Sequence, residues 1–72
     1  MPERMALMKD GETIKVRAYY GGWKAATPEK ARAFIRYMIS AFCYGDMAWK
    51  MNRINEKHLR GITAQELLCE TA

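Results

Sequence analysis

The sequence predicts an α+β fold, a three-stranded antiparallel meander packed on a central helix and followed by two C-terminal helices. Three observations predict it. Thr13 to Tyr20 alternates strictly between apolar and polar residues, with glycine-marked turns on either side. From Thr27 onward the apolar period changes to that of a helix. The later punctuation, Asp46, Gly61 and the TAQE run at Thr63 to Glu66, marks two more helices. Residues 1–72 therefore read as a single small β-β-β-α-α-α domain, with no repeat, low-complexity stretch or linker.

The meander occupies the first 26 residues. Asp10-Gly11 is a hairpin signal, and Gly21-Gly22 is another. Taken as tight two-residue turns, they set Leu7 opposite Ile14, Met5 opposite Val16, Tyr20 opposite Trp23 and Ala18 opposite Ala25. Met5, Leu7, Ile14, Val16, Ala18, Tyr20, Trp23 and Ala25 then share a face for the helix to cover. The other face collects Arg4, Lys15, Arg17, Tyr19 and Lys24.

The central helix is expected to run from Thr27 to Tyr44. Thr27 suits the N-cap, Pro28 the first helical position, and Glu29 the positive end of the dipole. Ala31, Phe34, Ile35, Met38, Ala41 and Phe42 form its inner stripe, and Gly45 is its stop. Its outer face carries Arg32, Ala33, Arg36, Tyr37, Ser40 and Tyr44. Asp46 can cap a second helix, Met47 to Arg60, with Met47, Met51, Ile54 and His58 inward. Lys50, Arg53, Lys57 and Arg60 form a basic stripe beside that face, and Trp49 points almost opposite it. The TAQE capping box, with Ile62 and Leu67 as a hydrophobic staple, opens a last helix from Ala64 to about Glu70.

Composition bounds the function. Half the residues are apolar and 28% are charged, which excludes a disordered tail, and a chain this short buries a thin core. Six methionines read first as core filler. The net charge of +4 is uneven: +2 in each of residues 1–26, 27–45 and 46–61, against −2 in 62–72, where Glu66 and Glu70 are the charged groups. A basic body suits an acidic or polyanionic partner, although +4 is also an ordinary solubility charge. Cys43 and Cys69 belong to no CxxC pair, and with no signal peptide the default is a reduced cytoplasmic protein. No apolar run approaches the roughly 18 residues of a membrane span.

No motif supports an enzyme. His58 is the only histidine, so a metal site would need three separate elements to converge, and a core-edge role is the better reading. Cys43 has only His58 as a conceivable base. The glycines mark turns, not a phosphate loop. The expectation is a non-enzymatic protein with no cofactor, no metal, no membrane and no small-molecule substrate.

Surfaces carry the functional reading. Arg4, Lys15, Arg17, Tyr19 and Lys24, helped by Lys50, Arg53 and Lys57, are the candidates to contact nucleic acid or a nucleoprotein complex. The plain alternative is that a sheet covered on one side exposes polar residues on the other. Arg36, Tyr37, Tyr44 and Trp49 are the candidates for a protein partner. They suit an alternative class: a stoichiometric inhibitor or adaptor of the kind phages and mobile elements encode against a host protein, including anti-CRISPR-type proteins. A homo-oligomer held by the Tyr37 and Tyr44 face is a third reading. Over residues 13–37, the hairpins followed by a Thr-capped helix with Ala31 and Phe34 inward broadly resemble the arm-binding domains of phage integrases. The short third strand and the lack of a catalytic domain within the 72 residues depart from that pattern, and no site residue is carried across.

Overall fold

A computed structural model describes residues 5–18 and 21–69. Its elements run β1 Ala6–Asp10, β2 Thr13–Arg17, β3 Lys24–Ala26, α1 Pro28–Ala41, α2 Met47–Lys57, β4 Leu59–Arg60 and α3 Ala64–Cys69. The sheet order is β3-β2-β1-β4, so the expected meander stands as three strands of a mixed, four-stranded sheet. Leu7, Ile14 and Leu59 on one face join Ala31, Phe34, Ile35, Met38, Ile54, Ile62, Ala64 and Leu67 in one core. One sheet and one helical layer result, 17 Å through the thinnest dimension.

The fourth strand is the main departure from the expected fold. α2 stops at Lys57 rather than Arg60, with the His58 amide still donating to the Ile54 carbonyl at 2.9 Å. The chain then extends and pairs parallel with β1, Leu7 facing Leu59 and Met8 facing Arg60. The free edge of β1 drives this, because its amides need acceptors: the Leu7 N–H donates to the His58 carbonyl at 2.7 Å. The His58 ring, only 4% exposed, places Nδ1 2.8 Å from the Met5 carbonyl oxygen. Gly61 lets the strand leave: its φ is +78°, and a Cβ there would lie 2.5 Å from the Lys9 carbonyl oxygen. Helical periodicity alone extends α2 through Arg60, but edge pairing outweighs it locally.

Both hairpins differ from the expected register, with opposite consequences. In the first, Asp10 faces Thr13 and Leu7 faces Val16, so the turn residues are Gly11 and Glu12. Leu7 therefore meets a residue two places along from the expected Ile14. Side chains alternate with period two, so this shift leaves every residue on its expected face. The second connection is not a tight Gly21-Gly22 turn; residues 18–23 separate the strands, and the Gly21 N–H donates to the Ala18 carbonyl at 3.1 Å. β3 pairs Ile14 with Ala26, Lys15 with Ala25 and Val16 with Lys24. Ala25 thus sits three places from its expected partner, and an odd offset exchanges the faces. Lys24 moves to the face of Val16, while Ala25 and the preceding Trp23 move to the outer face. Ala18, expected inward, is exposed.

α1 begins as expected: the Thr27 Oγ1 accepts from the Lys30 N–H at 3.2 Å, and Ala31, Phe34, Ile35 and Met38 are buried. It ends at Ala41, short of Tyr44, with Phe42 as an extended cap donating its N–H to the Met38 carbonyl. Ala41 and Phe42 are therefore only half-buried, and Gly45 lies in the connector. Asp46 caps α2 by accepting the Trp49 N–H at 2.8 Å. Met47, expected on the inner stripe, is 56% exposed. The Thr63 half of the capping box forms, its Oγ1 accepting from the Glu66 N–H at 3.2 Å, while Glu66 Oε1 accepts from the Thr63 hydroxyl at 3.1 Å rather than from its amide, and both staple residues are buried. Asn55 clamps this helix to α2: its Oδ1 accepts the Ala64 N–H at 2.8 Å, and its amide donates to Gln65 Oε1 at 2.9 Å.

Candidate nucleic-acid interface

The sheet's two faces have different fates. Leu7, Ile14 and Leu59 of the inner face enter the core, whereas among the described residues no helix is stacked on the outer face. Register dictates what that face carries. Across the four strands one row reads Arg60, Met8, Lys15, Ala25; the neighbouring row brings Ala6 beside Arg17, with Trp23 next in line before β3. Asp10 and Thr13 close the hairpin end. Three cations thus meet one acid on the strand residues of this face. Arg17 and Arg60 are exposed, and Lys15 is half-buried.

Arg17 and Trp23 form the face's most defined pair. The guanidinium carbon lies 5.1 Å from the indole centroid, within cation–π range. This contact follows from the reversed face of β3, which takes Trp23 out from under the helix. Of the residues expected to form a basic sheet face, Lys15 and Arg17 are together on it. Lys24 is corrected: it is exposed at the sheet edge but belongs to the helix-side face with Val16. Arg4 and Tyr19 lie outside the described residues. Lys50, Arg53 and Lys57 belong to α2, in the helical layer, and are not brought to the sheet's outer face. Two residues of the face escape a reading by period alone. Arg60 fits the helical stripe by spacing, and its only clue is the Leu-Arg-Gly run after the histidine. Trp23 falls on the core face in a tight-turn register, and its clue is a Lys-Ala-Ala strand too small to need an aromatic inside.

A second surface forms where α1 hands over to α2. Trp49 makes an edge contact with Phe42 at 5.8 Å and a tilted contact with Tyr44 at 5.1 Å. Arg53 lies 6.0 Å over the Trp49 ring. A Cβ on Gly45 would come within 2.4 Å of that ring, so the indole packs directly on the glycine backbone. Tyr44 is 65% exposed and Trp49 37%. Trp49 is thus turned toward the connector, partly sheltered. Tyr37, 49% exposed, and Arg36 stand on the outer side of α1. The candidate protein-binding residues are all at the surface, and Tyr44 and Trp49 are the pair in direct contact.

Cys43 and Cys69 are both free and exposed. Among the described residues no three His, Cys, Asp or Glu side chains gather to hold a metal ion, and no helix is long and apolar enough to cross a membrane. No protein-family model matches the chain, and neither the curated proteins nor the solved structures contain a significant match to it.

Proposed function

We propose that this chain is a small non-enzymatic binding protein that engages nucleic acid, alone or in a nucleoprotein complex, through the outer face of its sheet. The observation that carries this reading is the convergence of Lys15, Arg17 and Arg60 on one uncovered face, with Asp10 as the one acid on its strand residues. Cations held in register by strand pairing meet phosphates without a large ordering cost, and each neutralised phosphate releases counterions. Affinity for a labelled oligonucleotide should therefore fall steeply with salt, with a logarithmic slope of about −2 to −3 for three phosphate contacts. The Lys15→Glu, Arg17→Glu double variant should lose most of that affinity. No detectable binding to DNA or RNA at low salt, or a double variant that binds as well as the parent, would sink the proposal.

The Trp49 cluster favours a second reading, a stoichiometric inhibitor or adaptor that docks on a protein. Exposed Tyr and Trp side chains beside an arginine have the composition of interface hot spots. On this reading Trp49→Ala abolishes capture of the partner in a pull-down while circular dichroism stays native. Capture undiminished by that variant counts against it.

A further inference from the structure

We infer that the ligand of the outer sheet face is a single-stranded nucleic acid, with a base stacked at the Arg17–Trp23 pair. This rests on the nucleic-acid reading above and narrows it. Width is the first argument. Four strands at about 4.8 Å spacing set the outer strand axes roughly 14 Å apart, before side chains are counted. The major groove of B-DNA is about 12 Å wide, enough for a helix or a two-stranded ribbon. A three-stranded meander could approach a groove, but β4, paired with Leu7 and Met8 of β1, widens the sheet at the rows that carry Lys15 and Arg60. A-form RNA closes its major groove further.

What this face does fit is an unpaired strand laid across it. Trp23, half-buried, is an aromatic platform at the β3 end, and Arg17 over its ring adds a planar cation that can itself stack on a base. Arg60 lies on the opposite edge strand, with Lys15 between them in the row through Met8. A strand running from Trp23 toward Arg60 therefore meets a stacking site first and then cations for its phosphates. Met8, half-buried in the middle of the row, supplies an adaptable apolar contact for a base or sugar. Stacking tolerates any base, because all have a π-face, so the binding should be weakly sequence-dependent.

The test is fluorescence anisotropy at low salt with labelled oligothymidylate, oligouridylate and a DNA duplex of the same length. Both single strands should bind tighter than the duplex, and their ratio tells DNA from RNA preference. Trp23→Ala should weaken single-strand binding by roughly tenfold, whereas Trp23→Phe should keep most of it. In a Trp49→Phe background, the single strands should quench Trp23 emission. Duplex binding as tight as single-strand binding, or Trp23→Ala affinity equal to that of the parent with a native circular-dichroism spectrum, overturns the single-strand inference and leaves the face as a nucleic-acid site. Absence of binding by all three probes overturns both.

Discussion

The molecule uses the same side-chain pair twice, in two different settings. Arg17 lies 5.1 Å from the ring of Trp23 on the open sheet, and Arg53 lies 6.0 Å from the ring of Trp49 at the α1–α2 corner. On the sheet the pair lies beside the row that holds Lys15 and Ala25, with Arg60 on the far edge strand, and strand pairing fixes its place. At the corner the tryptophan is hemmed in by Phe42, Tyr44 and the Gly45 backbone, so much of its surface is already occupied by the chain itself. The first arrangement sets a half-buried ring under a guanidinium on a cationic face, which suits a polyanion carrying flat bases. The second leaves mostly aromatic edges and one guanidinium, which suits a protein surface. A shared residue pair therefore says little; the neighbours decide.

Both surfaces hang on one core, and the largest effect should come from breaking it. Ile35 is fully buried between the sheet and the other helices. Ile35→Ala should cost about 2–5 kcal/mol, comparable with the whole stability of a domain this small. Loss of the cooperative thermal transition, together with both binding activities, is the expected outcome. A variant that melts within a few degrees of the parent would mean the two surfaces are supported separately.

A smaller perturbation should separate them. Gly61→Ala places a Cβ against the Lys9 carbonyl and forces a left-handed conformation, which costs roughly 1–2 kcal/mol before any displacement. For a domain of this size that corresponds to a Tm lowered by about 5–15 °C. The damage falls on the β1–β4 joint and so on Arg60, which should weaken nucleic-acid binding a few-fold while leaving Trp49 emission unchanged. An unaltered Tm would show that β4 contributes little to the sheet.

How much of this was legible beforehand depends on which physical rule governs each residue. The Thr27 cap, the Thr63 cap and the first four residues of the α1 stripe, Ala31, Phe34, Ile35 and Met38, follow from local spacing, and the structure has them where the spacing puts them. The first hairpin shows that a register can be misjudged by two residues without moving a single side chain to the wrong face. The second shows the opposite. Gly21-Gly22 looks like a tight turn, yet the connection spans 18–23, and the odd offset carries Lys24 inward and Trp23 outward. No local pattern reveals that parity, because it is set by how far the strands are held apart. β4 is hidden for a related reason: Leu59 and Arg60 continue a helical period, and only the unpaired edge of β1, more than fifty residues earlier, makes a strand the better conformation. The candidate site was half legible in consequence. Lys15 and Arg17 come from simple alternation, whereas Arg60 and Trp23 need long-range pairing.

The finest contrast lies between the two tryptophans themselves. Trp49 touches Phe42, Tyr44 and Gly45, so Trp49→Ala should lose packing worth about 1 kcal/mol and lower the Tm by roughly 4–8 °C. Trp23, half-buried at the sheet edge, has a described aromatic or cationic contact only with Arg17, and such a pair contributes about 0.5–1 kcal/mol. Trp23→Ala should therefore be the milder change in a melt and the severer one in a single-strand binding titration, with Trp49→Ala the reverse. If Trp23→Ala proved the more destabilising of the two, its ring would be part of the structural support of the sheet edge. The single-strand reading would then have to stand on the cations alone.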